Sequence, residues 1–343
     1  MLFVLMPLKM IQNLKPMSTK IIPISVTAPG LLGLNLQKAA TDLGIEWAVQ
    51  LDNCVFDSSG RITSRKGWAP VTTTPISGTP YIEQLYRYVD SSGDQILISA
   101  AANKLYSSIA PFYDTLTDLT GTLTPTANNW KFQNFNNKIV GFQSNHTPIV
   151  WDGIATSFSA IVPATGGTVP NGNDVLSAFG RLWAIDSTGT KVRYSALLDE
   201  TTWNDATTPL DSGIIDLQSS KGWVHGRDNI VAITSFNNFL IIFSNRSILV
   251  YRGIETPNST LALDDVIYGV GCIARDSIQD VGNDLLFLSE TGVRSLQRTL
   301  IQKTLPLGDI SQNVVDYLML QAKEGNRTNI RSIYYPKDGF YAL

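Results

Sequence analysis

The chain has 343 residues, 43% of them hydrophobic and only 16% charged, with a formal net charge of −3 from 26 Lys and Arg against 29 Asp and Glu. A charged fraction well below the ~25% of an average globular chain excludes disorder and requires a large buried core, and the near-neutral balance excludes a strongly basic nucleic-acid-binding domain. Two cysteines and two histidines are too few for a disulfide framework or a four-ligand zinc site, and no apolar run approaches the ~18 residues of a membrane-spanning helix.

Residues 1–16 include the apolar stretch MLFVLMPLKM but lack the basic start and the small-residue cleavage site of a signal peptide. Met17, followed by Ser18, Thr19 and Lys20, reads as an alternative start, so 1–16 are expected to be an upstream or disordered lead. Residues 17–50 form an N-terminal segment. Within it the run IIPISV at 21–26 has the β-branched content of an edge strand, a place where Pro23 is tolerated, and is a candidate closing strand for the rest of the chain. A short helix is expected over 41–51, weakened by Gly44.

Residues 51–343 carry a recurring pattern: a hydrophobic residue, a tight Asn/Gly/Asp turn, an apolar strand, a second polar turn and another strand. It reads VDSSGDQILISAAANKLYSS from Val89, FNNKIVGFQSNHTPIVWDG from Phe135, FGRLWAIDSTGTKVRYS from Phe179, FNNFLIIFSNRSILVYRG from Phe236 and VGNDLLFLSETGVRSLQ from Val281. Turns of this chemistry between alternating strands make β-hairpins, here centred near Gly93, Asn137, Gly180, Asn237 and Gly282. The anchors stand 46, 44, 57 and 45 residues apart. A period in the mid-forties accommodates four strands of about six residues with their turns, which is one blade of a β-propeller. The long interval after Phe179 is expected to hold a loop insertion.

Weaker hairpins at 53–67 and 330–343 extend the series, so the expectation is an all-β propeller of about six to seven blades. Helix is scarce: residues 311–323 are expected to be helical, with Ser311 as N-cap and Val314, Val315, Leu318, Met319 and Ala322 on one apolar face. The final turn, Lys337–Asp338–Gly339, is followed by only four residues. The propeller is therefore expected to be truncated at its C-terminus or closed by residues 21–26, because a bare strand edge leaves backbone groups unpaired.

Catalytic motifs are missing from the sequence. Neither His146 nor His225 lies in a triad or elbow arrangement, and there is no GxSxG, no phosphate-binding GxxxxGK[ST] and no GxGxxG after a strand. No catalytic, cofactor-binding or metal-ligating residue is assigned and no cofactor is expected. Glycoside hydrolysis is the enzymatic alternative, since two carboxylates from distant blades can meet. However, SALLDETTW at 195–203 departs from the Asp-box pattern of sialidase-type propellers and occurs once. The adjacent acids Asp199–Glu200 and Asp264–Asp265 would point to opposite sides of a strand. Candidate contacts with a partner or with phosphate are Arg61 and Arg65, which alternate onto one strand face, Lys66 beside them, and the tryptophans Trp203 and Trp223 of the insertion.

The order of features resembles a known family. APGLLGLNLQ at 28–37 and LDNCVFDSSGRITSRKGW at 51–68 resemble the N-terminal region of the tail nozzle proteins of short-tailed bacteriophages, also called tail tubular protein B or packaged-DNA stabilisation hub proteins. The likeness continues through GRLWAIDSTGTKVRYSALLDETTW at 180–203, FLIIFSNRSILVYRG at 239–253 and GVGCIARDSIQDVGNDLLFLSETGVRSL at 269–296. The resemblance implies a virion structural protein without catalytic residues, assembled in the host cytoplasm as a hexameric ring. It would extend the portal and adaptor channel, meet tail fibre or needle components, hold packaged DNA without sequence specificity and form part of its ejection path. The alternative is a carbohydrate-binding propeller, a glycosidase or a cellular protein-interaction scaffold.

Overall fold

The computed structural model describes residues 29–57, 59–111, 113–164, 167–203, 211–217, 228–302 and 309–343. The expected lead at 1–16, the candidate closing strand at 21–26, Trp223 and His225 lie outside the described residues.

A small hairpin of β1 (Cys54–Phe56) and β2 (Ile62–Ser64) precedes five larger antiparallel sheets. The first sheet runs β3 (Ile82–Val89), β4 (Gln95–Ala101), β5 (Lys104–Ile109) and β6 (Thr117–Asp118). The second is β7 (Lys131–Phe135), β8 (Lys138–Phe142), β9 (Ile149–Trp151) and β10 (Ser159–Ala160), and the third β11 (Val175–Ala178), β12 (Arg181–Ile185), β13 (Lys191–Tyr194) and β14 (Gly213–Asp216). The fourth is β15 (Ile230–Phe236), β16 (Phe239–Ser244), β17 (Ser247–Arg252) and β18 (Ala262–Tyr268). The fifth has three strands, β19 (Gln279–Asp280), β20 (Leu285–Ser289) and β21 (Gly292–Ser295), and a last hairpin joins β22 (Ile333–Tyr335) to β23 (Phe340–Ala342).

Each sheet is a meander in sequence order, and across the first four the first strand lies against the first strand of the next: β3 meets β7, β7 meets β11 and β11 meets β15. This is a β-propeller arrangement of five blades. The expected six to seven is corrected, because the terminal hairpins at 54–64 and 333–342 have two strands of three residues each, fewer than the three or more strands an independent sheet needs.

All five repeat turns form where the residue types require them. Asn136–Asn137 and Asn237–Asn238 take positive φ at both central positions (45° and 57°, 48° and 65°), as does Phe179–Gly180 (53° and 69°). Consecutive positive φ is the backbone of the tight hairpin turn whose twist matches that of its strands, and asparagine and glycine adopt it at least cost.

Between successive sheets lies one continuous set of apolar side chains per interface. Tyr88, Ile98 and Leu105 of the first blade pack on Trp130, Phe132 and Trp151 of the second. Phe135, Val140 and Phe142 pack on Leu182 and Ala184 of the third, and Trp183, Val192 and Ile215 on Leu240 and Leu249 of the fourth. Phe243 and Ile248 pack on Leu285 and Phe287 of the fifth. Leu288 and Val293 of the fifth are covered by Leu318, Met319 and Tyr341, so the last hairpin and a helix take the position of the next neighbour in the ring.

Helical structure comprises α1 (Pro257–Thr260), α2 (Leu296–Gln302) and α3 (Val315–Gln321), with short 3₁₀ turns. The helix expected over 311–323 forms only as a 3₁₀ turn at Gln312–Val314 leading into α3. Ser311 does not cap it: the hydroxyl accepts the Val293 N–H at 2.8 Å and ties the turn to β21. The apolar face does pack inward through Leu318, Met319 and Ala322. The helix expected over 41–51 is corrected to a 3₁₀ turn at Ala40–Asp42. Residues beyond it pair with the chain upstream instead, Ala48 N–H to Gly33 C=O at 2.9 Å and Leu32 N–H to Glu46 C=O at 2.9 Å, hydrogen bonds a helix would have consumed.

Candidate functional site

Because the first strands of the blades are mutual neighbours, the residues at their beginnings gather at one end of the ring. Glu83 stands in β3, Asn129 and Lys131 at the start of β7, Asn173 and Asp174 just before β11, Arg275 and Asp276 before β19, and Arg331 before β22. Side-chain hydrogen bonds join them across the axis.

Arg275 donates from Nη1 to the Asn173 carbonyl, from Nη2 to the Asn129 carbonyl at 3.2 Å, and from Nη2 to Asp276 Oδ2 at 2.7 Å. Lys131 Nζ lies 3.4 Å from Asp276 Oδ1 and Arg331 Nη1 lies 3.2 Å from Oδ2. Arg331 also donates from Nε to the Glu83 carbonyl at 3.0 Å, linking the first blade to the last hairpin. Local structure fixes the central pair: Arg275–Ser277 is a 3₁₀ turn in which the Ser277 hydroxyl donates to the Ala274 carbonyl at 2.7 Å.

The electrostatics are lopsided. Burial by itself would raise the Asp276 carboxyl, but Arg275, Lys131 and Arg331 outweigh it and hold the group at about 2. One carboxylate is thus shared by three cations. Asp174 behaves in the opposite way. Its complete burial raises its pKa despite the pull of Lys131 and Arg275, and its oxygens accept the Val175 N–H at 3.0 Å and the Ile233 N–H at 2.8 Å.

A raised and a lowered carboxyl near one another can signal an acid–base pair. Here Asp174 is 1% exposed and both oxygens are taken by backbone, so it joins β11 to β15 and presents no proton to a substrate. Asp276, held ionised, is a poor proton shuttle. The Cys272 thiol beneath them is buried, pushed up to about 11 by burial, and donates to the Ala274 carbonyl at 3.1 Å. Such a thiol is inert as a nucleophile. What the arrangement can do is bind.

An open cavity of about 280 Å³ enters beside this network, lined by Asn129, Ser144, Asn173, Arg275, Asp276 and Arg327 among others. A second, of about 340 Å³, lies at the seam between the first blade and the last hairpin, lined by Tyr81, Ile82, Glu83, Asn329 and Arg331. The seam has no apolar core among the described residues. Ile82, Leu85 and Val89 of β3 are 50%, 54% and 40% exposed, and Ile333, Tyr335 and Phe340 of the hairpin 58%, 39% and 46%.

The residues singled out from sequence lie elsewhere. Arg61 and Arg65 flank β2 on the small N-terminal hairpin, and each has its own local partner: Arg61 Nη2 lies 3.1 Å from Asp57 Oδ2, and Arg65 Nη2 lies 3.5 Å from Asn53 Oδ1. Lys66 is exposed beside them. Trp203 is no surface anchor: it is 1% exposed, packs against Phe142 and donates from Nε1 to the Glu200 carbonyl at 2.6 Å, sealing the interface of the second and third blades. Sequence reasoning missed the axial network, whose members are scattered over some 250 residues. The one available signal was the polar or charged residue next to the first strand of several repeats.

No known protein family and no curated protein matches the sequence. Solved structures with some likeness include PorZ, an essential bacterial surface component of the type-IX secretion system of Porphyromonas gingivalis, at 12% identity and a TM-score of 0.38, covering 63% of this chain and 26% of that one. The extracellular domain of a hybrid two component system from B. thetaiotaomicron has 12% identity and a TM-score of 0.42, over 72% and 31% of the two chains. A catalytically inactive virginiamycin B lyase from Staphylococcus aureus has 13% identity and a TM-score of 0.42, over 71% and 73%. This chain spans about a quarter to a third of the first two proteins. At these scores the likeness carries no argument about function, and the propeller assignment rests on the strand order.

Proposed function

We propose that this protein is a non-catalytic propeller scaffold that works by assembly with other protein chains, copies of itself among them. The seam carries this reading. Apolar side chains on β3 and on β22–β23 stay about half exposed in the isolated chain, and burying the remainder of each would contribute about 1 kcal/mol. Contiguous exposed apolar surface of this kind marks a protein contact. Trp68 and Tyr81, 82% and 92% exposed on the irregular segment between β2 and β3, add side chains of the type that dominates interface energies.

The particular form of this scaffold that the sequence resemblance supports is a subunit of the short phage-tail nozzle, a hexameric ring on the portal and adaptor that retains packaged DNA and later forms part of its exit path. A glycosidase would need a carboxylate pair other than Asp174 and Asp276. Light scattering on the purified chain over a hundredfold concentration range tests the general reading. A homo-oligomer is expected, and Leu85→Glu with Tyr335→Glu should shift it towards monomer. A chain that stays monomeric throughout and is indifferent to both changes would end the self-assembly part of the reading. Ring-shaped particles by electron microscopy, and co-purification with the portal or adaptor encoded beside its gene, test the nozzle form.

A further inference from the structure

We propose that the axial cavity is an oxyanion-binding site, taking the phosphate or carboxylate group of a ligand, with Arg327 as its principal cation. This goes beyond assembly and does not depend on it.

Charge comes first. Within the cluster Lys131, Arg275, Arg327 and Arg331 face Asp174, Asp276 and, at the seam, Glu83. The single carboxylate that meets the cations directly, Asp276, already has three of them. An excess of positive charge therefore remains, and it stands in a partly desolvated place: the Arg275 and Asp276 side chains are 8% and 10% exposed. Fixed cations in a low-dielectric, water-poor setting attract an anion more strongly than the same charges on a surface.

Donor geometry comes second. Arg275 is committed to two carbonyls and Asp276, so it shapes the wall and supplies field. Arg327 is different. Its Nε donates to the Ala322 carbonyl at 3.4 Å, which anchors the planar group, while its terminal nitrogens meet no partner among the described residues. Two parallel N–H donors on a rigid fork match an oxyanion. Beside them, Asn129 accepts from Gln143 Nε2 at 3.3 Å through Oδ1. Gln143 is 1% exposed, so this contact orients the Asn129 amide, whose NH₂ has no partner among the described residues. Ser144 and Thr328 also line the cavity.

Size comes third. About 280 Å³ is close to the lower end of small-molecule pockets, ~300 Å³, and leaves room for the anion and a modest attached group. The apolar side chains of Ile230, Val231 and Ile273 on the lining suit that remainder.

The test uses the intact chain with inorganic phosphate and with acetate, each against sodium chloride at matched ionic strength, read by thermal midpoint and by isothermal titration. Saturable stabilisation by phosphate or by acetate is expected, and which of the two is tighter identifies the oxyanion. Arg327→Met should weaken binding about tenfold, as the loss of a charge-assisted hydrogen bond does, beyond any small shift in the midpoint of the unliganded protein from the lost Ala322 contact. Arg61→Met, on the distant hairpin, should bind like the parent. Chloride acting as well as both oxyanions, or full binding retained in Arg327→Met, overturns the proposal.

Discussion

Asp276 shows how one buried charge can be both stabilising and fragile. Its pKa falls from the ordinary 3.8 to about 2 because three cations outweigh burial, so its contribution is present above about pH 4 and is lost as pH falls towards 2. The size is about 2 kcal/mol. Asp174 has the opposite sign: its raised pKa makes it unfavourable when ionised, and that penalty is already relieved by about pH 4. The window from pH 4 to 2 therefore contains the loss from Asp276, beside those of the more exposed Asp57, Asp118, Asp152, Asp199 and Asp211, whose pKa values are also lowered. Urea unfolding across pH 2–6 should show this loss in the parent. Asp276→Asn should show a loss smaller by about 2 kcal/mol, while being about 3–5 kcal/mol less stable at pH 7, since three cations lose the carboxylate they meet directly. Cysteine reactivity offers a second check. Native protein at pH 8 should titrate about one thiol with a disulfide reagent, the half-buried Cys54, and denatured protein both, because Cys272 is buried and pushed up to about 11.

At the scale of elements, hairpins were the most legible feature because their turns depend on local chemistry. The Asn–Asn and Phe–Gly pairs at 136–137, 237–238 and 179–180 occur where the chain needs two residues of positive φ. Helices were less legible, since Ser311 was drawn from capping into a bond with β21 and residues 45–48 into pairing with 30–35. Glycine separates local from tertiary demands. At Gly271 an added Cβ would sit 2.2 Å from the Ser244 carbonyl oxygen and 2.3 Å from Asn245 backbone, whereas at Gly282, with φ of +94°, it meets nothing within 4 Å. Gly271→Ala should cost several kcal/mol or abolish folding, because backbone must move between the fourth and fifth blades. Gly282→Ala should cost about 1 kcal/mol of turn strain. Chemical denaturation of the two variants side by side measures the difference; equal costs would mean that the close approach at Gly271 is readily relieved.

For the whole molecule, stability lies in the interfaces between blades. Trp203 closes the second of these with full burial, and Trp68 is 82% exposed. Trp203→Ala should therefore lose about 3–5 kcal/mol, while Trp68→Ala should leave unfolding nearly unchanged. If Trp68 anchors a partner, its substitution should instead weaken association in light scattering. The seam between the first blade and the last hairpin is held by polar contacts such as Arg331 to the Glu83 carbonyl, and faces water with apolar side chains on both sides. It is the part of the ring expected to open first, and amide exchange in β3 and β22 should be faster than in β12 and β16, which lie between buried faces.

Composition, turn chemistry and the mid-forties spacing by themselves determined an all-β chain of repeated antiparallel hairpins, because each depends on residues close in sequence. The blade count was not determined that way: whether a terminal hairpin becomes a blade depends on how many strands pair and what covers them. Nor was the axial site. Lys131, Arg275, Asp276, Arg327 and Arg331 are unremarkable in sequence, and only closure of the ring brings the strand starts together and makes their charges interact. Tertiary structure also decided the fate of Trp203, since an aromatic residue in an inserted loop reads alike whether it ends on a surface or, as here, between two sheets.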